Sequence, residues 1–148
     1  VKRKEFNGGR RMTNYRITEI EGIGPNYAKK LGDIGITNVG SLLKRGASQK
    51  GRKEIADATG LDHSLILKWV NMADLFRVRG IGSEYAELME KAGVDTVKEL
   101  RNRNADNLTA KLAEINSQGP RLVRALPGKK RVQEWIDDAK NLDPLITF

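Results

Sequence analysis

The residues best placed to do chemistry in this 148-residue chain are two tripeptides, Gly22-Ile23-Gly24 and Gly80-Ile81-Gly82. A glycine turn that opens into a helix leaves backbone N–H groups without intrahelical acceptors, and the helix dipole adds partial positive charge there. Both effects favour an anion such as a nucleic-acid phosphate, whatever the base sequence. After the first tripeptide Pro25 lacks an N–H, so the amides beyond it must contribute, with the Asn26 side chain nearby. Lys29 and Lys30 add long-range attraction. The candidate phosphate site is therefore Gly22, Ile23, Gly24, Asn26, Lys29 and Lys30. At Gly80, Ile81 and Gly82 the setting is less favourable, because Ser83-Glu84 replaces Pro25-Asn26 and Glu87 and Glu90 follow. Carboxylates beside a phosphate repel it by about 1 kcal/mol at surface separations; Arg79 offsets part of this. Gly-Ile-Gly is also the tightest way to join two helices with Ile23 and Ile81 packed inside, and phosphate binding would be additional.

Other chemistry is sparse. Lys44, Arg45, Lys50, Arg52 and Lys53 cluster around Gly51, and Arg121, Arg124, Lys129, Lys130 and Arg131 form a second basic group. Each is either a backbone-tracking surface, with Arg52 and Lys53 as supporting contacts and Gly51 allowing close approach, or a solvated helix end. Tyr27 and Tyr85, like Trp69 and Trp135, recur at equivalent places, which fits core packing better than base stacking. His63 is the single histidine and reads as a solvent-facing helix residue. No carboxylate cluster has metal spacing and no serine stands in a nucleophile motif, so neither a catalytic nor a metal site is expected.

The two tripeptides belong to a longer repeat. Residues 20–28 return 58 positions later as residues 78–86, and the register continues through Leu31 and Met89, Gly35 and Gly93, Val39 and Val97, and Leu42 and Leu100. Such an echo means two copies of one supersecondary unit. In the first copy Ile17 and Ile20 open a short helix, Pro25 starts the next and Gly35 ends it as a left-handed cap. Thr37, Ser48 and Asp62 are placed to cap three further helices, with Asp95 and Asp106 as caps in the second copy. Leu65, Ile66, Trp69, Val70 and Ala73 lie at helical spacing. The segment containing Trp69 reappears around Trp135 at offset 66, after an eight-residue insertion near residues 116–130. No strand-like alternation occurs. The expected fold is all-α, about ten short helices in two pseudo-symmetric units over residues 15–75 and 76–148, packed as one compact domain.

Composition agrees. Hydrophobic residues make up 39% of the chain but only eight are aromatic, so aliphatic side chains must build most of the core. Residues 1–16 hold six basic groups against Glu5, a net of +5. The rest, with 21 basic and 18 acidic residues, carries only +3 of the total +8. Residues 1–14 thus read as a disordered basic tail, and Met12-Thr13-Asn14 as a natural start, with residues 1–11 an upstream extension. The absence of cysteine fits a reducing cytoplasm. No apolar run approaches the roughly 18 residues of a membrane helix, and the basic start leads into no secretory apolar region.

The loop pattern of apolar, any residue, Gly, apolar, Gly, with Ala28 or Ala86 four residues after the second Gly, resembles the helix-hairpin-helix superfamily. More closely, segments 20–31, 43–47, 51–53, 68–71, 73–75, 93–100 and 122–127 resemble the bacterial domain-of-unknown-function 4332 family, made of two such units. The resemblance covers about residues 15–148. It implies that the hairpin amides hold a DNA backbone phosphate, and that a monovalent cation, if any cofactor, sits on hairpin carbonyls. The expected activity is non-enzymatic, largely sequence-independent DNA binding by a cytoplasmic protein. The alternative is a protein-protein interaction module or homo-oligomeric scaffold, favoured by the acidic second hairpin.

Overall fold

Helix-favouring segments punctuated by glycine and by Ser, Thr, Asn and Asp caps produce eight α-helices, seen in a computed structural model that describes residues 15–148. They are α1 (Pro25–Gly32), α2 (Val39–Gly46), α3 (Gln49–Thr59), α4 (His63–Leu75), α5 (Ser83–Lys91), α6 (Val97–Leu100), α7 (Ala105–Ser117) and α8 (Lys129–Lys140). Ile17–Glu19 forms the short helix expected there as one turn of 3-10 helix. Among the described residues there is no strand, and Arg16 and Asn38 form an isolated antiparallel bridge. The all-α expectation holds with eight helices in place of about ten. The expected disordered tail lies outside the described residues.

Capping explains most boundaries. The Ser48 hydroxyl accepts from the Gly51 N–H at 3.0 Å and the Asp62 carboxylate from the Ser64 N–H at 2.8 Å, as expected. Three caps fall elsewhere. Asn38, not Thr37, caps α2 by accepting from the Ser41 N–H at 2.7 Å; Thr96, not Asp95, caps α6; and Asn104, not Asp106, caps α7. Each true cap lies one or two residues from the expected one, where both side chains are good acceptors and only the backbone's entry into the helix decides.

The buried aliphatic residues form one cluster that runs from Ile17 through Leu31, Leu42, Ile66 and Met89 to Leu142. Helix α4 is the most enclosed element, packing against α2, α3 and α5, with Ile66, Trp69, Val70, Met72, Ala73 and Leu75 all buried. Its last turn carries a buried ion pair: Asp74 Oδ1 accepts from Arg77 Nη1 at 2.9 Å, and Asp74 Oδ2 accepts from the Val97 N–H at 2.9 Å. The carboxylate thus ties the end of α4 to the start of α6. Burial pushes the Asp74 carboxyl above its ordinary pKa, while Arg77 and the Val97 amide pull it back.

Two contacts place the basic cluster near Gly51. A Cβ on Gly51 would lie 1.9 Å from the Arg45 carbonyl oxygen, so the α2–α3 corner closes only with glycine there. Arg52 is 6% exposed and donates to the carbonyls of Gly46 (2.9 Å), Ala47 (3.1 Å) and Thr147 (2.6 Å). The Thr147 N–H donates back to the Ala47 carbonyl at 2.8 Å. Residues 145–148 are thereby held against the α2–α3 corner.

Candidate nucleic-acid interface

Ile20, just before the first tripeptide, and Ile23, its central residue, are both buried and anchor the turn in the core. The Ile23 N–H donates to the Ile20 carbonyl at 3.1 Å and is therefore spent within the turn. Gly22 takes φ +94°, a conformation costly for any residue with a Cβ. It faces the indole edge of Trp69, whose ring meets Tyr27 edge-on at 5.1 Å. Gly24 differs from Gly22. Its φ of −88° suits any residue, and an added Cβ would meet nothing within 4 Å.

Gly24 is the N-cap of α1 and offers no capping side chain. Among the described residues the N–H groups of Asn26 and Tyr27, in the first turn, have no backbone or side-chain acceptor, while the Ala28 N–H takes the Gly24 carbonyl at 2.9 Å. These amides open into a depression of about 780 Å³ lined by Gly22, Gly24, Asn26, Lys29, Lys30 and Asp33. Five of the six expected phosphate-site residues thus share one surface; Ile23 belongs to the core. Lys29 pairs with Asp33 at 3.2 Å, both exposed, which leaves Lys30 as the less committed cation.

The supporting residues do not join this surface. Arg52 is consumed by three carbonyls, Lys53 pairs with Asp57 at 3.0 Å, and neither they nor Arg79 line the depression. Gly51 serves the approach of two helices, not of a ligand.

The second tripeptide repeats the local geometry. Gly80 has φ +87° and faces the indole edge of Trp135, the Ile81 N–H donates to the Val78 carbonyl at 3.1 Å, and Gly82 caps α5 with open space around it. Its charges differ. Glu84 stands in the first turn of α5, where the dipole favours a carboxylate, so this N-terminus carries its own anion. Arg131 lies over the rings of Tyr85 (5.0 Å) and Trp135 (5.4 Å), and its Nη2 would be 3.6 Å from a Cβ on Gly80. Sequence reasoning missed this placement, since the corresponding residue at offset 66 is Leu65 and the repeat gives no sign of a cation. Burial first, then the charge of Glu21, raises the Glu87 carboxyl above its ordinary pKa, so acidic groups from both halves meet beside α5.

His63 is the exposed first residue of α4. Among the described residues no His, Cys, Asp and Glu side chains group as a metal site would require, and no helix is long and apolar enough to cross a membrane.

No curated protein and no solved structure matches the chain. A family model described as a domain of unknown function (DUF4332) matches residues 21–142, most of the chain. The protein with these two glycine turns is therefore a member of the DUF4332 family.

Proposed function

We propose that this chain is a non-enzymatic, cytoplasmic bacterial protein that binds the DNA backbone with little sequence preference, its first hairpin gripping a phosphate at the start of α1. The observation that carries the reading is Gly24. Neither its φ nor its surroundings require glycine, yet a capping Ser or Asp there would accept from the first-turn amides that glycine leaves to a ligand, and Lys29 and Lys30 line the same depression. A phosphate on those two amides meets the positive end of the α1 dipole.

A second reading, a module that docks a partner protein or another copy of itself, is favoured by the Glu84 carboxylate at the other hairpin and by Leu126, 47% exposed beside it in sequence to the Tyr85–Ala125 hydrogen bond. One titration separates the two. The full chain, with Lys2, Lys4, Arg3, Arg10 and Arg11 replaced by glutamine to silence the basic tail, is titrated with short duplex and single-stranded DNA at two salt concentrations. The backbone reading expects affinity that falls with salt, a slope flattened by about 0.9 in Lys30→Gln, and a loss of about tenfold or more in Gly24→Glu with unfolding temperature retained. No binding at low salt, or full affinity in Gly24→Glu, rejects it in favour of partner docking.

A further inference from the structure

Asn71 is the least explained polar residue in the core. It sits within α4 at 8% exposure, and its Oδ1 is shielded from solvent with no donor among the described residues. An unsatisfied buried acceptor costs about 1–3 kcal/mol. Packing does not demand the residue, because the corresponding position at offset 66, Asp137, is exposed on α8.

Asn71 lines a pocket of about 280 Å³ between α4 and the turn joining α5 to α6, walled also by Leu67, Lys68, Glu90, Gly93 and Asp95. Neither Glu90 nor Asp95 has an ion-pair partner among the described residues, whereas neighbouring Arg103 is committed to Glu99 (2.9 Å) and to the Gly93 carbonyl (3.1 Å). Burial, then the charges of Glu99 and Glu90, raises the Asp95 carboxyl above its ordinary range, against the opposing pull of its own backbone N–H and of Arg103. The pocket therefore combines a buried amide oxygen, two unpaired carboxylates and one apolar wall.

We propose that this pocket binds an alkylammonium group, as carried by a lysine side chain or a free aliphatic amine, with the ammonium among Asn71 Oδ1, Glu90 and Asp95 and the methylenes against Leu67. An ammonium has three donors and no acceptor, matching the acceptor side chains of Asn71, Glu90 and Asp95 in the lining and offering nothing to clash with them. Its positive charge suits the carboxylates, and its donors satisfy the buried Asn71 oxygen, which has no partner among the described residues. The inference is independent of phosphate binding at α1.

The test is an amide and side-chain NMR titration of the full chain with three probes: Nα-acetyl-lysine methylamide, 1,4-diaminobutane, and the neutral Nα-acetyl-norleucine methylamide. Saturable shifts at the Asn71 side-chain NH₂ and the Gly93 and Asp95 amides are expected with the amines and not with the norleucine probe. Tighter binding of the lysine derivative assigns the pocket to a peptide lysine, and tighter binding of diaminobutane to a free amine. Asn71→Leu and Glu90→Gln should each weaken binding by about tenfold or more. Lys68, one turn from Asn71, is the rival occupant, and Lys68→Gln exposes it: binding seen only in that variant means that the chain fills its own pocket. That result overturns the proposal, as do no saturable shift with either amine, equal shifts with norleucine, or undiminished binding in both Asn71→Leu and Glu90→Gln.

Discussion

Replacing Gly51 by alanine separates a packing role from a ligand-approach role because the two predict opposite signs. Gly51 lies in the first turn of α3, where alanine exceeds glycine in helix propensity by about 1 kcal/mol. Were the position open for a ligand, Gly51→Ala would stabilise the protein by about that amount and weaken nucleic-acid binding. The added Cβ, however, lies 1.9 Å from the Arg45 carbonyl oxygen and 3.1 Å from the Arg45 carbonyl carbon. An ordinary contact needs about 3.4 Å or more, so the start of α3 must retreat by over about 1 Å. The obstacle is backbone and cannot rotate away. Overpacking of this kind costs about 1–3 kcal/mol. Displacing α3 also strains the Ser48 cap on the Gly51 N–H, worth about 1 kcal/mol. Net of propensity, the loss is about 1–3 kcal/mol, or a fall in unfolding temperature of about 3–10 °C for a domain of this size. Calorimetry or urea unfolding reads it directly. Unchanged or increased stability in Gly51→Ala would refute the assignment of Gly51 to the α2–α3 corner.

Arg52→Met keeps much of the side-chain volume but removes donors to three carbonyls. It should destabilise by about 2–4 kcal/mol in urea unfolding and deprotect the Thr147 amide in hydrogen exchange; an undisturbed fold with lost DNA affinity would return Arg52 to the interface. Glu90→Gln removes a charge that helps raise both Glu87 and Asp95. A carboxyl raised on folding binds protons more tightly in the native state, so its unfavourable contribution is full above the raised folded pKa and vanishes below the ordinary one. The variant should therefore exceed the parent in stability at pH 7 by about 0.5 kcal/mol or less after solvent screening, with the difference closing as pH falls through the carboxylate range; a gap that widens on acidification contradicts the coupling.

Much of the architecture was legible because repetition doubled every signal. One Gly-Ile-Gly is ambiguous, but the same tripeptide at offset 58 with matching isoleucines gave two turns whose positive-φ glycines agree within 7°. The caps at Ser48 and Asp62 were legible for their chemistry, whereas choosing between Thr37 and Asn38 needed the backbone. Arg52 was misread as a surface cation although α3 held the clue: it lies three and four residues before Ile55 and Ala56, on the face that enters the core. A basic cluster invites reading by charge alone, and periodicity had already separated buried Arg52 from exposed Lys50 and Lys53. The ion pair of Asp74 and Arg77 was illegible for another reason. Its partner, the Val97 amide, is 23 residues away, and no local pattern marks a carboxylate that bridges two helices. The Arg131 contact depends on how the insertion turns back onto Tyr85, which the repeat cannot specify.

The two glycine turns illustrate how a repeated sequence can retain its packing and change its electrostatics. In each, the first glycine is fixed by positive φ against an indole edge, the central isoleucine by the core, and its N–H by the preceding carbonyl. None of those features is free to vary without loss of the turn. The second glycine and the residues after it are not so constrained, since Gly24 and Gly82 border open space. Divergence falls there. Among the described residues the start of α1 bears two amides without an acceptor and no acidic side chain in its first turn, whereas that of α5 bears Glu84, with Arg131 stacked on the adjoining Tyr85 and Trp135. A helix dipole already facing a resident carboxylate has less to offer an external anion. On the proposed backbone-binding reading this asymmetry favours the first turn for a phosphate, and the charge in front of the second, rather than its glycines, is the feature that sets the two apart.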